Sequence, residues 1–61
     1  MNKYDDEVLA YFAGLPRLGD MMRSQGFYAS AYALLLFGMM EKNYKVTEFG
    51  FKYLESIGYD I

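Results

Sequence analysis

From Phe27 to Met40 the chain runs fourteen residues without a charge, and on either side of that stretch apolar positions recur at helical rather than strand spacing. Ala29, Ala31, Ala33, Leu34, Leu35 and Leu36 favour helix strongly. The stretch therefore predicts a helix from near Tyr28 to about Phe37 or beyond, with Gly38 placed to end it. Two apolar stripes run along this helix, one of Phe27, Ala31, Leu34 and Leu35, the other of Tyr28, Tyr32, Leu36 and Met39. They cover different sides, while Ala29, Ser30 and Ala33 make a small side that another backbone can approach closely.

Upstream, Val8, Leu9, Phe12 and Leu15 share one helical face and predict a helix from about Asp6 to Ala13. Asp5 is placed to cap its free amides, and Asp6 and Glu7 sit where the helix dipole favours anions. Tyr4 is placed to pack on Leu9 as a hydrophobic staple. Gly14 and Pro16 stop this helix. Pro16 to Gln25 predicts a weaker second helix, with Leu18, Met21, Met22 and Gln25 at helical spacing. Gly19 costs it about 1 kcal/mol relative to alanine, so its start shifts toward Asp20.

Residues 39–46 have two readings: the frayed end of a helix plus a loop, or a tight hairpin of Met39–Glu41 and Tyr44–Val46 turning at Lys42-Asn43. The last helix is the clearest. Thr47 is a good N-cap, Glu48 follows in the first turn, and Gly58 ends it. Val46, Phe49, Tyr53, Leu54 and Ile57 form an inward stripe; Glu48, Lys52 and Glu55 form an outward one, with Glu48–Lys52 a favourable i,i+4 pair. Phe51 sits near the polar stripe, which points to contact with a partner. The expected fold class is mainly α (small α+β), a compact single domain over residues 1–61 with three to four helices and at most a short hairpin near 39–46.

Read from Leu34 onward, the order Leu-Leu-Leu-Phe-Gly-Met-Met-Glu-Lys-Asn-Tyr-Lys-Val-Thr-Glu-Phe-Gly-Phe-Lys-Tyr-Leu-Glu-Ser-Ile-Gly resembles the back half of many winged helix-turn-helix domains. In those domains a recognition helix is followed by a short hairpin and then by Leu/Val-Thr-x-x-Gly-x-x-Tyr-Leu. Val46, Thr47, Gly50, Tyr53 and Leu54 match that tail, and Met21 to Leu35 can be laid over a helix-turn-helix with Gly26 in the turn. The Thr-x-x-Gly signal also has a local cause: threonine caps, and glycine lets the helix pack closely on its neighbour. The chain departs from the pattern in a nearly absent wing and in a recognition helix with Tyr28, Ser30 and Tyr32 but no Arg, Lys, Gln or Asn to read base edges.

Length and composition turn the middle stretch into a functional clue. A chain of 61 residues buries only about 60% of its unfolded surface, so its core is small. It has no cysteine and no histidine, which removes disulfides and the commonest metal ligands as stabilisers and leaves self-association. No metal or cofactor is expected, nor a small-molecule substrate. The hydrophobic fraction of 54% and aromatic fraction of 20% are high for a soluble domain. The net charge of −2 runs against a nucleic-acid binder, which normally carries a basic excess. The Met-Asn-Lys-Tyr-Asp-Asp-Glu start does not read as a signal peptide, and Phe27–Met40 is shorter than the roughly 17–25 apolar residues of a membrane span. A cytoplasmic location, in the host if the chain is phage-encoded, is the expectation.

Reaction chemistry is weakly represented. Ser24, Ser30, Thr47 and Ser56 have no histidine to activate them, and Asp5, Asp6 and Glu7 are consecutive and point in different directions. Seven tyrosines and the Met21-Met22 and Met39-Met40 pairs are more informative, since rigid amphipathic rings and adaptable thioethers suit binding surfaces. The expected protein interface is Tyr28, Tyr32, Leu36, Met39, Met40 and Phe51, used by a non-enzymatic regulator or inhibitor acting as a homodimer, on another protein, or both. Many small phage-encoded proteins are of this kind. The alternative is a small DNA-binding regulator contacting DNA through Arg17, Arg23, Tyr28, Ser30, Lys42 and Lys45.

Overall fold

A computed structural model of the chain describes residues 3–14 and 26–60. The predicted second helix, Pro16 to Gln25, lies outside the described residues. Three helices follow in order, α1 (Lys3–Phe12), α2 (Phe27–Leu36) and α3 (Glu48–Ser56), and no strand is present among the described residues. The radius of gyration is 10.3 Å, which is what a compact chain of this length should have, at about 10.5 Å. Among the described residues no helix is long and apolar enough to cross a membrane.

Helix α1 is the element against which both others pack. It begins at Lys3, earlier than the spacing predicts, so Asp5 is not its N-cap but lies inside its first turn. One helical residue turns by about 100°, and the consecutive carboxylates therefore face different neighbours. Asp5 accepts a hydrogen bond from the Ser30 hydroxyl of α2. Asp6 accepts one from the Tyr53 hydroxyl of α3, at 2.6 Å. Between these two attachments Val8, Leu9 and Ala10 are fully buried, three in a row, because the helix is covered on two sides. Tyr4 packs against the core from within the helix rather than from ahead of it.

Helix α2 closes in a Schellman motif. The Met39 amide donates to Leu34 O at 2.9 Å and the Gly38 amide to Leu35 O at 3.1 Å, with Gly38 left-handed at φ 80°. That motif folds the residue after the glycine back under the helix. Met39 and Met40 are accordingly core residues, 6% and 3% exposed, and cannot serve as the open interface residues that the sequence suggests. α3 ends the same way, with Tyr59 N donating to Leu54 O at 3.0 Å and Gly58 N to Glu55 O at 3.2 Å, and Tyr59 packs against the core.

The hairpin reading of 39–46 survives as a single antiparallel bridge, Met40 with Val46. Glu41 N donates to Lys45 O at 2.8 Å and Tyr44 N to Glu41 O at 2.9 Å, so Lys42-Asn43 does sit at the turn. The turn needs a left-handed residue, and Tyr44 supplies it at φ 65°. Its ring stacks on Phe12 of α1, with centroids 5.5 Å apart and planes 13° apart.

Thr47 caps α3 as its sequence context predicts: its Oγ1 accepts from Gly50 N at 3.0 Å and donates to Gly38 O at 2.7 Å. One hydroxyl thus joins the end of α2 to the start of α3. Gly50 is buried where α3 crosses the Met39 backbone. The stripe expected to face inward from α3 holds at Val46, Tyr53 and Leu54. It fails at Phe49, in the first turn, and at Ile57, the C-cap, both of which are exposed. Glu48 and Lys52 stand 4.0 Å apart, both well solvated, a pair worth little to stability.

Candidate protein-docking face

Helix α2 spends one side on the core. Phe27, Ser30, Ala31 and Leu34 are buried, and at about 100° per residue their directions cluster on a single face. On the opposite face stand Tyr28, Tyr32 and Leu36, four residues apart, with exposures of 64%, 63% and 71%. Ala29 is exposed beside them, and Phe37, also exposed, follows at the C-cap. No residue of α2 is charged. An exposed Leu or Tyr alone needs no explanation; three on one ridge of a helix this size form a contiguous apolar patch.

The ridge is held from below. The Tyr28 ring meets Phe27 edge-on at 5.2 Å and 87°. Phe27 in turn packs on Phe12 at 5.4 Å and on Tyr11 at 5.7 Å. The Schellman motif fixes the other end, beside Leu36 and Phe37. Rigid aromatic side chains on a braced helix lose little freedom on binding, which favours affinity.

Of the six expected interface residues, Tyr28, Tyr32 and Leu36 are brought together on this ridge. Phe51 is exposed at the edge of α3. Met39 and Met40 lie beneath the surface. Phe37 is also 58% exposed; at about 100° per residue it stands off the Tyr28 stripe, so the periodicity does not point to it. Of the six positions for DNA contact, Arg17 and Arg23 lie outside the described residues. Lys42 and Lys45 are exposed on the 41–46 turn. Tyr28 is open, but Ser30 is buried with its hydroxyl given to Asp5, so it has no access to a duplex.

The chemistry available on the ridge is dispersion and desolvation, with two phenolic hydroxyls at its edge. A group with a displaced pKa lies elsewhere. Tyr53 is pushed up from 10.0 to about 12, first by its hydrogen bond to Asp6, then by burial and by the charges of Asp6 and Asp5. That hydroxyl joins α3 to α1 and is engaged in structure. No protein-family model, no curated protein and no solved structure matches the chain.

Proposed function

We propose that the chain is a non-enzymatic small regulatory or inhibitory protein that works by protein–protein binding, through the Tyr28/Tyr32/Leu36 ridge of α2, and that it self-associates. The observation that carries this reading is the ridge itself: three large side chains, each more than 60% exposed, on the face of an uncharged helix that points away from the core. A free monomer gains nothing from keeping such a patch in water. The order α2, bridged turn and Thr47-capped α3 supports a winged-helix-like description of the domain. The site of action is the cytoplasm, of a host cell if the chain is phage-encoded.

The test is affinity capture from the native host with the tagged wild type beside a Tyr32→Asp variant, measuring protein mass and nucleic acid together. Capture of a defined protein species by the wild type, lost in the variant, is the expected result. Equal capture by both would overturn the assignment of the ridge.

A second reading, a small DNA-binding regulator, is favoured by Lys42 and Lys45 standing exposed together on the 41–46 turn. It predicts duplex binding that weakens steeply with added salt, and nucleic acid in the captured material.

A further inference from the structure

We infer that the occupant of the α2 ridge is the α2 ridge of a second copy of this chain, packed antiparallel about a two-fold axis that passes beside Tyr32. The inference rests on the binding role proposed for the ridge and names its partner and geometry.

Three features argue for a second copy. The first is charge. α2 has no acidic residue in its first turn, no basic residue in its last, and no side-chain hydrogen bond at its Gly26 N-cap. α3, by contrast, carries Glu48 in its first turn and the Thr47 cap. No side chain of α2 itself answers the partial charges at its ends; the rest of the chain engages them only through the Schellman amides at the last carbonyls and the Asp5 carboxylate at Ser30 in the first turn. An antiparallel α2 from another copy sets each negative C-terminus beside a positive N-terminus. A charged partner would find no counter-charge anywhere on the helix.

The second feature is spacing. A two-fold interface must be complementary to itself. Tyr28 and Leu36 are each four residues from Tyr32, about 6 Å along the axis in either direction. Antiparallel pairing places Tyr32 against its counterpart and each Tyr28 against the Leu36 of the other copy. A parallel pair would stack like on like and set the dipoles side by side. Ala29, exposed beside the ridge, admits the close approach that helix pairs make, at about 8–10 Å between axes.

The third feature is area. A large apolar or aromatic side chain carries roughly 150–250 Å². The exposed shares of Tyr28, Tyr32 and Leu36 thus offer on the order of 400 Å² per copy. Two copies reach about 800 Å², below the roughly 1,000 Å² of a stable specific interface and in the range of weak, transient ones. The dimer is accordingly a weak, reversible one.

The chain has no cysteine, so single-cysteine variants report the geometry directly. Facing Cα atoms in such a helix pair come within about 5 Å, inside the span of a disulfide. Expected results are a wild type that sediments as a dimer and a Tyr32→Asp variant that sediments as a monomer with its helical circular dichroism intact. On oxidation Tyr32→Cys forms a covalent dimer by itself. Tyr28→Cys and Leu36→Cys do so only when mixed with each other. The inference is overturned by a monomeric wild type, by a dimer that persists in Tyr32→Asp, or by equal self-coupling at all three positions. A monomeric wild type leaves the wider binding role to be decided by the host-capture comparison, so the two can fail separately.

Discussion

A Cβ added to Gly50 would overlap the carbonyl oxygen of Met39 and stand 2.8 Å from Val46 Cγ1. Position 50 is inside α3, where alanine is ordinarily the better residue by about 1 kcal/mol. Here the contact outweighs propensity. The Met39 carbonyl accepts the Thr47 amide at 3.0 Å, so it cannot swing away without breaking the junction. Gly50→Ala is expected to cost about 1–3 kcal/mol net. For a domain this small that lowers the melting temperature by roughly 4–8 °C per kcal/mol. Thermal unfolding followed by circular dichroism checks it, and a melting temperature at or above wild type would contradict the packing described.

Tyr44 holds a left-handed backbone that costs an ordinary residue about 1–2 kcal/mol, and its ring stacks on Phe12. The two contributions separate in a pair of variants. Tyr44→Ala loses the stack and keeps the backbone penalty, and should lose about 1–2 kcal/mol. Tyr44→Gly loses the stack but sheds the penalty, and should unfold near the wild-type midpoint in urea. Equal destabilisation of the two would remove backbone strain from the account.

The Tyr53–Asp6 hydrogen bond has a pH signature. A tyrosine whose pKa is raised on folding binds its proton more tightly in the folded chain. The stability this contributes is whole below the ordinary value of 10.0 and is lost as pH climbs through about 12. The wild type should therefore lose more stability between these limits than Tyr53→Phe, which lacks the hydroxyl. Urea midpoints for both proteins across that interval make the comparison. Parallel curves would mean that the hydroxyl is not held by Asp6.

Two leucines two residues apart have opposite roles. Leu34 is 0% exposed and Leu36 is 71% exposed. Leu34→Ala should cost about 2–5 kcal/mol, most of the roughly 3–5 kcal/mol that so small a core supplies, and leave the chain largely unfolded. Leu36→Ala should keep its melting temperature at low concentration and shift self-association to higher concentration. Sedimentation and circular dichroism on the same samples distinguish the two.

The sequence shows the helix ends more clearly than the helix faces. Gly14, Gly38 and Gly58 each stop a helix where the pattern places a stop, and Thr47 caps α3 as its setting demands. Those signals are local, written within one turn of chain. The errors concern what lies across from a residue. Asp5 read as a cap because its use depends on Ser30, twenty-five positions away. Phe49 and Ile57 fit an inward period, yet they stand at the two ends of α3 and are exposed. Met39 extends the Tyr28 stripe on paper, yet the turn after Leu36 carries it under the helix instead. The ridge was legible at Tyr28, Tyr32 and Leu36 because a fourteen-residue apolar run in a chain of 61 cannot be covered on every side.

Gly38 and Gly50 differ in what descent can do with them. At Gly38 an added Cβ meets nothing within 4 Å, and only the left-handed backbone resists change; asparagine tolerates that conformation and is the common substitute at such helix ends. A lineage carrying this fold can drift between glycine and asparagine at position 38, whereas position 50 admits no side chain while Met39 and Val46 stay where they are. A sister sequence with a bulkier residue at 50 would have to re-seat the whole third helix.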